Sequence, residues 1–326
     1  MSAVSVVIPT HNRLEILRET VGRLLRQDLG GEDYEIVVVD DHSSDATGAW
    51  LEQEAARQPR LRPLASRRPG RSSARNTGVA AARGELICFL DDDMWVAPGC
   101  LRAHWEAYGA AGAEPTVGVG RMRPYPGNAP TLANRAYDRR LARIDEAMAQ
   151  YPEDLPCRYL CTGNVSLPRR LFAEGLSFDE SFAGYSFEDT ELGYRLAAQG
   201  VRLRYLAAAY AEHRTDTTVA ALLRKRAEAG CSVIRFLQTH PEAAEHLEVP
   251  FEVPSVATTR RQDGLGKRLA KAAAFSRPAS WVLEALLPLA AGCGAERAAL
   301  RLLDWAGYAR YGRAFRDSAR AETGNE

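Results

Sequence analysis

Three aspartates in succession, Asp91-Asp92-Asp93, follow directly on the apolar run Leu86-Ile-Cys-Phe-Leu90. A short run of this composition reads as a buried strand. The carboxylates at its end repel one another unless a cation or hydrogen-bond donors offset the charge. Two earlier apolar runs also end at a break: Val4-Ser-Val-Val-Ile8 is broken by Pro9-Thr-His-Asn12, and Tyr34-Glu-Ile-Val-Val-Val39 ends in Asp40-Asp41. Between them, Leu14, Leu17, Val21, Leu24 and Leu25 recur at helical spacing over 14–26, with Asn12 placed to cap. Ser43 and Ser44 offer caps for a second helix through about residue 57. A short strand at 61–65, a basic loop at 67–70 and a helix over 72–82 complete the segment. This βαβαβαβ order predicts an α/β chain with a mostly parallel sheet flanked by helices.

Open sheets of this kind bind ligands outside the carboxyl ends of their strands. Pro9-Thr10-His11, Asp40-Asp41, Asp91-Asp92-Asp93 and the later Glu188-Asp189 all fall at or near such ends. Clustered hard oxygens suit Mg²⁺ or Mn²⁺, usually shared with ligand phosphates.

The second half is less regular. The spacing predicts helices over 101–111 and 134–150 and a strand over 116–122. Pro-rich stretches at 124–130 and 152–156 bracket the 134–150 helix, as expected of a mobile insert over a cleft. A helix over 188–199 stops at Gly200, a strand follows over 201–206, and helices take over from about 216. No internal repeat is present.

The balance of 42 basic and 42 acidic residues among 326 leaves no bulk field to draw the chain to nucleic acid. Only Lys225, Lys267 and Lys271 are lysines, a bias that fits a GC-rich genome better than a function. Six cysteines without CxxC spacing read as reduced thiols of a cytosolic protein. With no secretory leader and no apolar run near the ~18 residues of a membrane span, a cytoplasmic chain is expected.

The ordered set Val6-Val-Ile-Pro-Thr-His-Asn-Arg13, Ile36-Val-Val-Val-Asp-Asp41, Ala74-Arg-Asn-Thr-Gly78, Phe89-Leu-Asp-Asp-Asp93 and Phe187-Glu-Asp-Thr-Glu-Leu192 resembles family-2 glycosyltransferases of the GT-A fold. Thr162-Gly-Asn-Val-Ser166, Phe178-Asp-Glu180, Arg195-Leu196 and His213 extend the resemblance over roughly residues 3–215. The chain departs from the pattern at Met94, where another Asp is frequent, at Arg68, where Asn or Gln is common, and at Leu176-Ser177 in place of Gly-Gly.

The resemblance implies a catalytic domain over 1–215, with a nucleotide-sugar half to about 95 and an acceptor half beyond it. A C-terminal helical region would follow over 216–326. It implies a nucleotide-sugar donor, most often UDP-linked, and an inverting transfer to an acceptor hydroxyl. Asp40 would accept the uracil N3–H, with Pro9, Thr10, His11 and Arg13 lining the base and ribose pocket. Arg75 would approach uracil or diphosphate, Asp91 the ribose, Asp92 the nucleotide sugar or the ion held by Asp93, and Glu188 a donor or acceptor hydroxyl. Asp93 and Asp91, completed by His213, would hold Mn²⁺ or Mg²⁺. Asp189, at a helix N-terminus whose dipole favours the ionised form, would be the general base.

Other chemistries remain distinguishable. The turn after the first strand lacks the glycines of a dinucleotide site and the Gly-rich, Lys-bearing loop of a nucleotidyltransferase. A metal-dependent hydrolase and a non-catalytic docking protein stay open. Over 256–326 twelve basic residues stand against seven acidic ones, with Trp281, Trp305, Tyr308 and Tyr311 among apolar stripes. This region is expected to pack on the catalytic domain or a second subunit, or to rest on an anionic membrane surface.

Overall fold

The computed structural model describes residues 2–112, 114–182, 187–245, 277–292 and 295–323. Its Cα framework divides into two compact units. The first comprises Met1–Asn128, Asp138–Ala183 and Glu188–Thr215; the second comprises Ala129–Tyr137, Gly184–Phe187 and Asp216–Glu326.

The first unit is built on β1 (Val4–Thr10), β2 (Tyr34–Asp40), β3 (Leu61–Ala65), β4 (Leu86–Leu90), β5 (Met94–Val96), β6 (Thr116–Pro124), β7 (Asn164–Pro168) and β8 (Arg202–His213). They form one curled sheet in the order β3-β2-β1-β4-β7-β6-β8-β5. β3, β2, β1 and β4 are mutually parallel, as expected. Beyond β4 the sheet is mixed: β7 runs antiparallel to both β4 and β6, β8 is parallel to β6, and β5 pairs antiparallel with β8.

Alternation along the strands separates two apolar layers. Val4, Val6, Ile8, Ile36 and Val38 pack with Leu17, Val21 and Leu24 of α1 (Leu14–Leu24), Leu51 of α2 (Thr47–Ala55) and Leu101 of α4 (Cys100–Ala111). Val7, Val37, Val39, Ile87 and Phe89 pack with Ala74 of α3 (Arg71–Ala81), Leu171 of α6 (Arg169–Ala173) and Leu192 and Leu196 of α7 (Glu188–Ala198). Each fully buried Val or Leu here contributes about 1.5–3 kcal/mol. α3 lies unusually close to the sheet, because a Cβ at Gly78 would stand 2.4 Å from Val7 Cγ1.

The expected caps are not local. Asn12, at φ +52°, does not cap α1; its Oδ1 accepts from the backbone N–H groups of Ser44 (2.7 Å) and Asp45 (3.1 Å). α2 starts at Thr47 rather than after Ser44, with Asp45 Oδ1 accepting from Thr47 N–H. β8 runs to His213, past the expected end at 206, by way of a register shift opposite Gly120/Arg121. Asn164 Nδ2 donates to the Ala209 and Arg121 carbonyls at this irregularity.

α5 (Leu132–Met148) spans the expected 134–150 helix. In the second unit, α8 (Val219–Thr239) is capped by Thr218, whose side chain accepts from Ala221 N–H. α8 packs against α10 (Glu296–Thr323), where a Cβ at Gly230 would meet the Tyr311 carbonyl at 2.4 Å. Arg310 of α10 forks onto Glu284 of α9 (Arg277–Gly292) with two contacts of 2.6 Å. The aromatic stripe does not share one face: Tyr311 is buried, whereas Trp305 and Trp281 are exposed. Residues 256–276, part of the expected membrane or dimer face, lie outside the described residues. No helix among the described residues is long and apolar enough to cross a membrane.

Candidate active site

Strand register assembles the acidic edge. Thr10 is paired with Asp40 and Val7 with Phe89, so the residues after β1, β2 and β4 leave the sheet on one side. β5 then pairs Met94 with His213, which brings β8's last residue to Asp93.

At the β1–β2 side, His11 Nδ1 lies 2.6 Å from the Asp41 carbonyl. Asp40 Oδ1 accepts from Ser43 N–H at 3.0 Å, and the Asp41 carboxylate accepts from Gly70 N–H. These bonds tie the loops after β1, β2 and β3 together and leave Asp40 and His11 partly or fully open to solvent. Pro9 is the next-to-last residue of β1.

The three aspartates part company. Asp92 turns inward: it accepts from Thr10 Oγ1 at 2.8 Å and from Arg13 Nη1 at 3.1 Å, and its backbone carbonyl accepts from Thr20 Oγ1. Burial pushes its carboxyl up to about 7 against the opposing pull of Arg13. Thr10, Arg13 and Asp92, all three expected at the nucleotide-sugar site, are thus linked to one another. Asp93 has one oxygen on Arg13 Nη2 at 2.9 Å and the other facing His213 Nε2 at 3.5 Å. Asp91 is more exposed and accepts from Arg75 Nη2 at 3.2 Å.

Arg75 is the clamp of this site. Only 2% of its side chain is exposed, and its Nη1 donates to Glu188 Oε1 at 3.0 Å. Burial opposes its charge, but Asp91 and Glu188 outweigh that and raise its pKa. Arg75, expected to approach uracil or diphosphate, thus joins the residue after β4 to the head of α7. Next to it, Asn76 holds the 178–180 segment, accepting from Phe178 N–H and donating to the Phe178 carbonyl and Glu180.

At the head of α7, Glu188 Oε2 is buried and lacks a hydrogen-bond partner among the described residues. Asp189 accepts from Thr190 N–H at 2.8 Å. Crowding out of water, then the like charge of Glu188, push its carboxyl up to about 7, with Arg75 pulling the other way. Phe187, just before the pair, has φ +76°, a conformation bulky residues rarely adopt. Such strain, about 1–3 kcal/mol, concentrates at functional sites. Glu191 instead pairs with Arg195 along the helix at 2.6 Å.

Among the described residues no group of three or more His, Cys, Asp and Glu converges on one ion position. Asp91, the expected third ligand, accepts from Arg75 Nη2. The Asp93–His213 pair offers a hard carboxylate oxygen facing an imidazole nitrogen. That donor set fits a divalent ion with one or two protein ligands and the rest drawn from phosphates and water.

His213 Nδ1 lies 3.0 Å from Thr215 Oγ1, and Thr215 Oγ1 donates to Asp138 Oδ1 at 2.7 Å. Asn128 joins this group, donating to Asp138 and to the His213 carbonyl and accepting from Thr215 N–H. Neither Asp138, Thr215 nor Asn128 carries a sequence signal for such a place.

A curled mixed sheet with its acidic clusters on the carboxyl edge of the parallel half defines a GT-A fold. Residues 5–176 match the family described as "Glycosyl transferase family 2". This covers more than half of the chain, which belongs to that family. It is 33% identical over 220 residues to the validoxylamine A glucosyltransferase of Streptomyces hygroscopicus subsp. jinggangensis (strain 5008), covering 61% of this chain and 52% of that protein. It is 40% identical over 115 residues to the succinoglycan biosynthesis protein ExoO of Rhizobium meliloti (strain 1021), covering 35% of this chain and 32% of that one. The chain thus spans about half the length or less of these curated relatives. Among solved structures, the mannosyltransferase PcManGT from Pyrobaculum calidifontis in complex with GDP-Man and Mn²⁺ superposes with a TM-score of 0.58 at 22% identity. That match covers 99% of this chain and 88% of the other. S. aureus TarS 1–349 in complex with UDP gives 0.52 at 17% identity, covering 99% and 92%. These likenesses concern the fold.

Proposed function

We propose that the chain is an inverting glycosyltransferase that moves a sugar from a nucleotide-sugar donor, UDP-linked, to an acceptor hydroxyl, with Asp189 as general base. The observation that carries this reading is the Arg75 bridge, which fixes Asp189 beside the acidic edge of the parallel sheet. A base whose carboxyl titrates near neutrality is matched to its task. The reading is supported by the family and by the names of the relatives, a glucosyltransferase and a mannosyltransferase solved with GDP-Man and Mn²⁺.

Asp40 and His11 meet the base and ribose, and Asp91 meets the ribose hydroxyls. Glu188 Oε2, buried and without a hydrogen-bond partner among the described residues, accepts a sugar hydroxyl. Asp93 and His213 hold Mn²⁺ or Mg²⁺; when bound, such an ion neutralises charge on the departing diphosphate as a Lewis acid. Asp189 takes the proton of the acceptor hydroxyl as that oxygen attacks the anomeric carbon opposite the leaving group. The transition state is oxocarbenium-like, as in glycoside hydrolysis. One carboxylate suffices, because each turnover displaces the diphosphate once.

The free, buried thiols of Cys88 and Cys100 fit a reducing, cytoplasmic setting. The exposed Trp281, Val282, Leu286 and Leu289 of α9 fit a peripheral contact with a membrane surface or a second copy.

NMR of the product formed from a donor of known anomeric configuration tests this reading. Inversion is expected; retention, or release of free sugar in the presence of acceptor, overturns it.

A further inference from the structure

The hydroxyl of Thr215 has a single proton, and its direction is determined by its neighbours. Asp138, at 2.7 Å, is a carboxylate that already receives the Asn128 amide on Oδ1 at 3.2 Å and on Oδ2 at 3.4 Å. An ionised carboxylate only accepts, so Thr215 must donate to it. Thr215 Oγ1 therefore meets His213 Nδ1, 3.0 Å away, with a lone pair, and that nitrogen must carry the proton. In a neutral imidazole this leaves Nε2 with the lone pair. Nε2 is the nitrogen that faces Asp93 Oδ1.

The opposite tautomer has its own attraction, because Asp93 would readily accept an Nε2–H. At 3.5 Å that contact is at the limit of a hydrogen bond, whereas both links of the Asp138–Thr215 chain are short. Thr215 is 1% exposed, so water does not compete for its hydroxyl. Asn128 secures the polarity from behind. Its Oδ1 accepts from Thr215 N–H at 3.0 Å and from Arg214 at 3.1 Å, which commits its Nδ2 to donate toward Asp138.

We propose that Asp138 and Thr215 are positioning residues that hold His213 in its Nδ1–H tautomer, so that the Nε2 lone pair is presented beside Asp93 to a divalent ion. The proposal rests on the reading of His213 as a metal ligand. It adds two residues to the site that neither the motifs nor the spacing of the chain indicate, supplied from α5 and from the turn after β8. Partners of this kind orient a ligating imidazole, and their loss typically costs about 10–100-fold in metal affinity.

The test uses the full-length chain in two measurements. In the first, ¹⁵N NMR of the metal-free protein, about two pH units above the ordinary imidazole value, reads the His213 tautomer. Wild type and Thr215→Ser, which keeps the hydroxyl, should show Nδ1–H. Thr215→Val removes the acceptor for Nδ1–H and should shift the ring toward Nε2–H. Asp138→Asn should do the same, because an amide held by Asn128's donor turns its own NH₂ to Thr215 and reverses the hydroxyl. In the second, Mn²⁺ is titrated in the presence of UDP or of inorganic diphosphate, with free Mn²⁺ read by EPR. Thr215→Val and Asp138→Asn should lose about 10–100-fold in affinity, with Thr215→Ser near wild type.

An Nε2–H tautomer in wild type overturns the proposal. So does Mn²⁺ affinity in Thr215→Val equal to that of wild type while His213→Ala is weakened. Equal affinity in His213→Ala itself overturns the ligand reading beneath it.

Discussion

The guanidinium of Arg75 donates to Glu188 Oε1 at 3.0 Å with almost none of its surface in contact with solvent. Its other terminal nitrogen reaches Asp91, so a residue of α3 joins the end of a parallel strand to the start of α7. Burying this cation is costly, and the two carboxylates compensate it. Removing it would strand Glu188, whose Oε2 is already buried without a hydrogen-bond partner among the described residues. Loss of one partner from such a pair costs about 3–5 kcal/mol. Arg75→Met is expected to lower the unfolding free energy by that order in urea, measured with metal and donor absent. A change below about 1 kcal/mol would show that the clamp carries little of the fold.

Asp189 links activity and stability with opposite signs. Activity requires the ionised base, so kcat/KM should rise with pH through about 7 and level off above it. For stability, the folded carboxyl titrates near 7 and the unfolded one near 3.8, so the folded chain binds more protons between those values. Its contribution is full below the unfolded value and is lost as pH rises through 7. Asp189→Asn is therefore expected to raise the melting temperature above pH 7, while it abolishes the ascending limb of the pH–rate profile. Thermal unfolding of the two proteins on each side of pH 7 checks the sign.

Asp93 and His213 predict metal dependence. EDTA should abolish transfer, and Mn²⁺ or Mg²⁺ should restore it. Asp93→Ala should weaken nucleotide binding as well as rate, because an ion between protein and phosphates serves both. A thoroughly stripped enzyme at full rate would contradict the assignment.

Gly78 tests the packing of the clamp helix. A Cβ there would lie 2.4 Å from Val7 Cγ1 and 3.2 Å from Val39 Cγ2, so α3 would have to lift from β1 and β2. Gly78→Ala is expected to cost about 1–3 kcal/mol by overpacking. Denaturant unfolding measures it, and an unchanged midpoint would mean that the helix is free to move.

The strands of the site edge were legible because each is an apolar run bounded by a break: Val4–Ile8, Tyr34–Val39 and Leu86–Leu90 need no long-range information. β5 escaped notice because Met94–Val96 is too short to show a period. β7 escaped because Asn164, its first residue, reads as a loop residue; the structure uses it to satisfy carbonyls at 121 and 209. The same limit applied to Asn12. Its neighbourhood predicts a helix cap, but its side-chain Oδ1 accepts from the N–H groups of residues 44 and 45, and no local rule contains that distance.

In the site, residue types and order were legible, but their division of labour was not. Asp91, Asp92 and Asp93 look alike in sequence, yet Arg75, Arg13 and His213 give them three different surroundings. Asp138 on α5 and Thr215 after β8 lie 77 positions apart and are neighbours only in the folded chain. Pairings of that range depend on strand order, which motif spacing does not encode.

The most direct test of the account is the turnover of Asp189→Asn at saturating donor and acceptor, with nucleotide affinity measured alongside. The amide keeps the shape and the Thr190 contact but cannot take the acceptor proton. The account predicts a fall in kcat of about 10²–10⁴-fold with nucleotide affinity nearly unchanged. A kcat within a few-fold of wild type would contradict it.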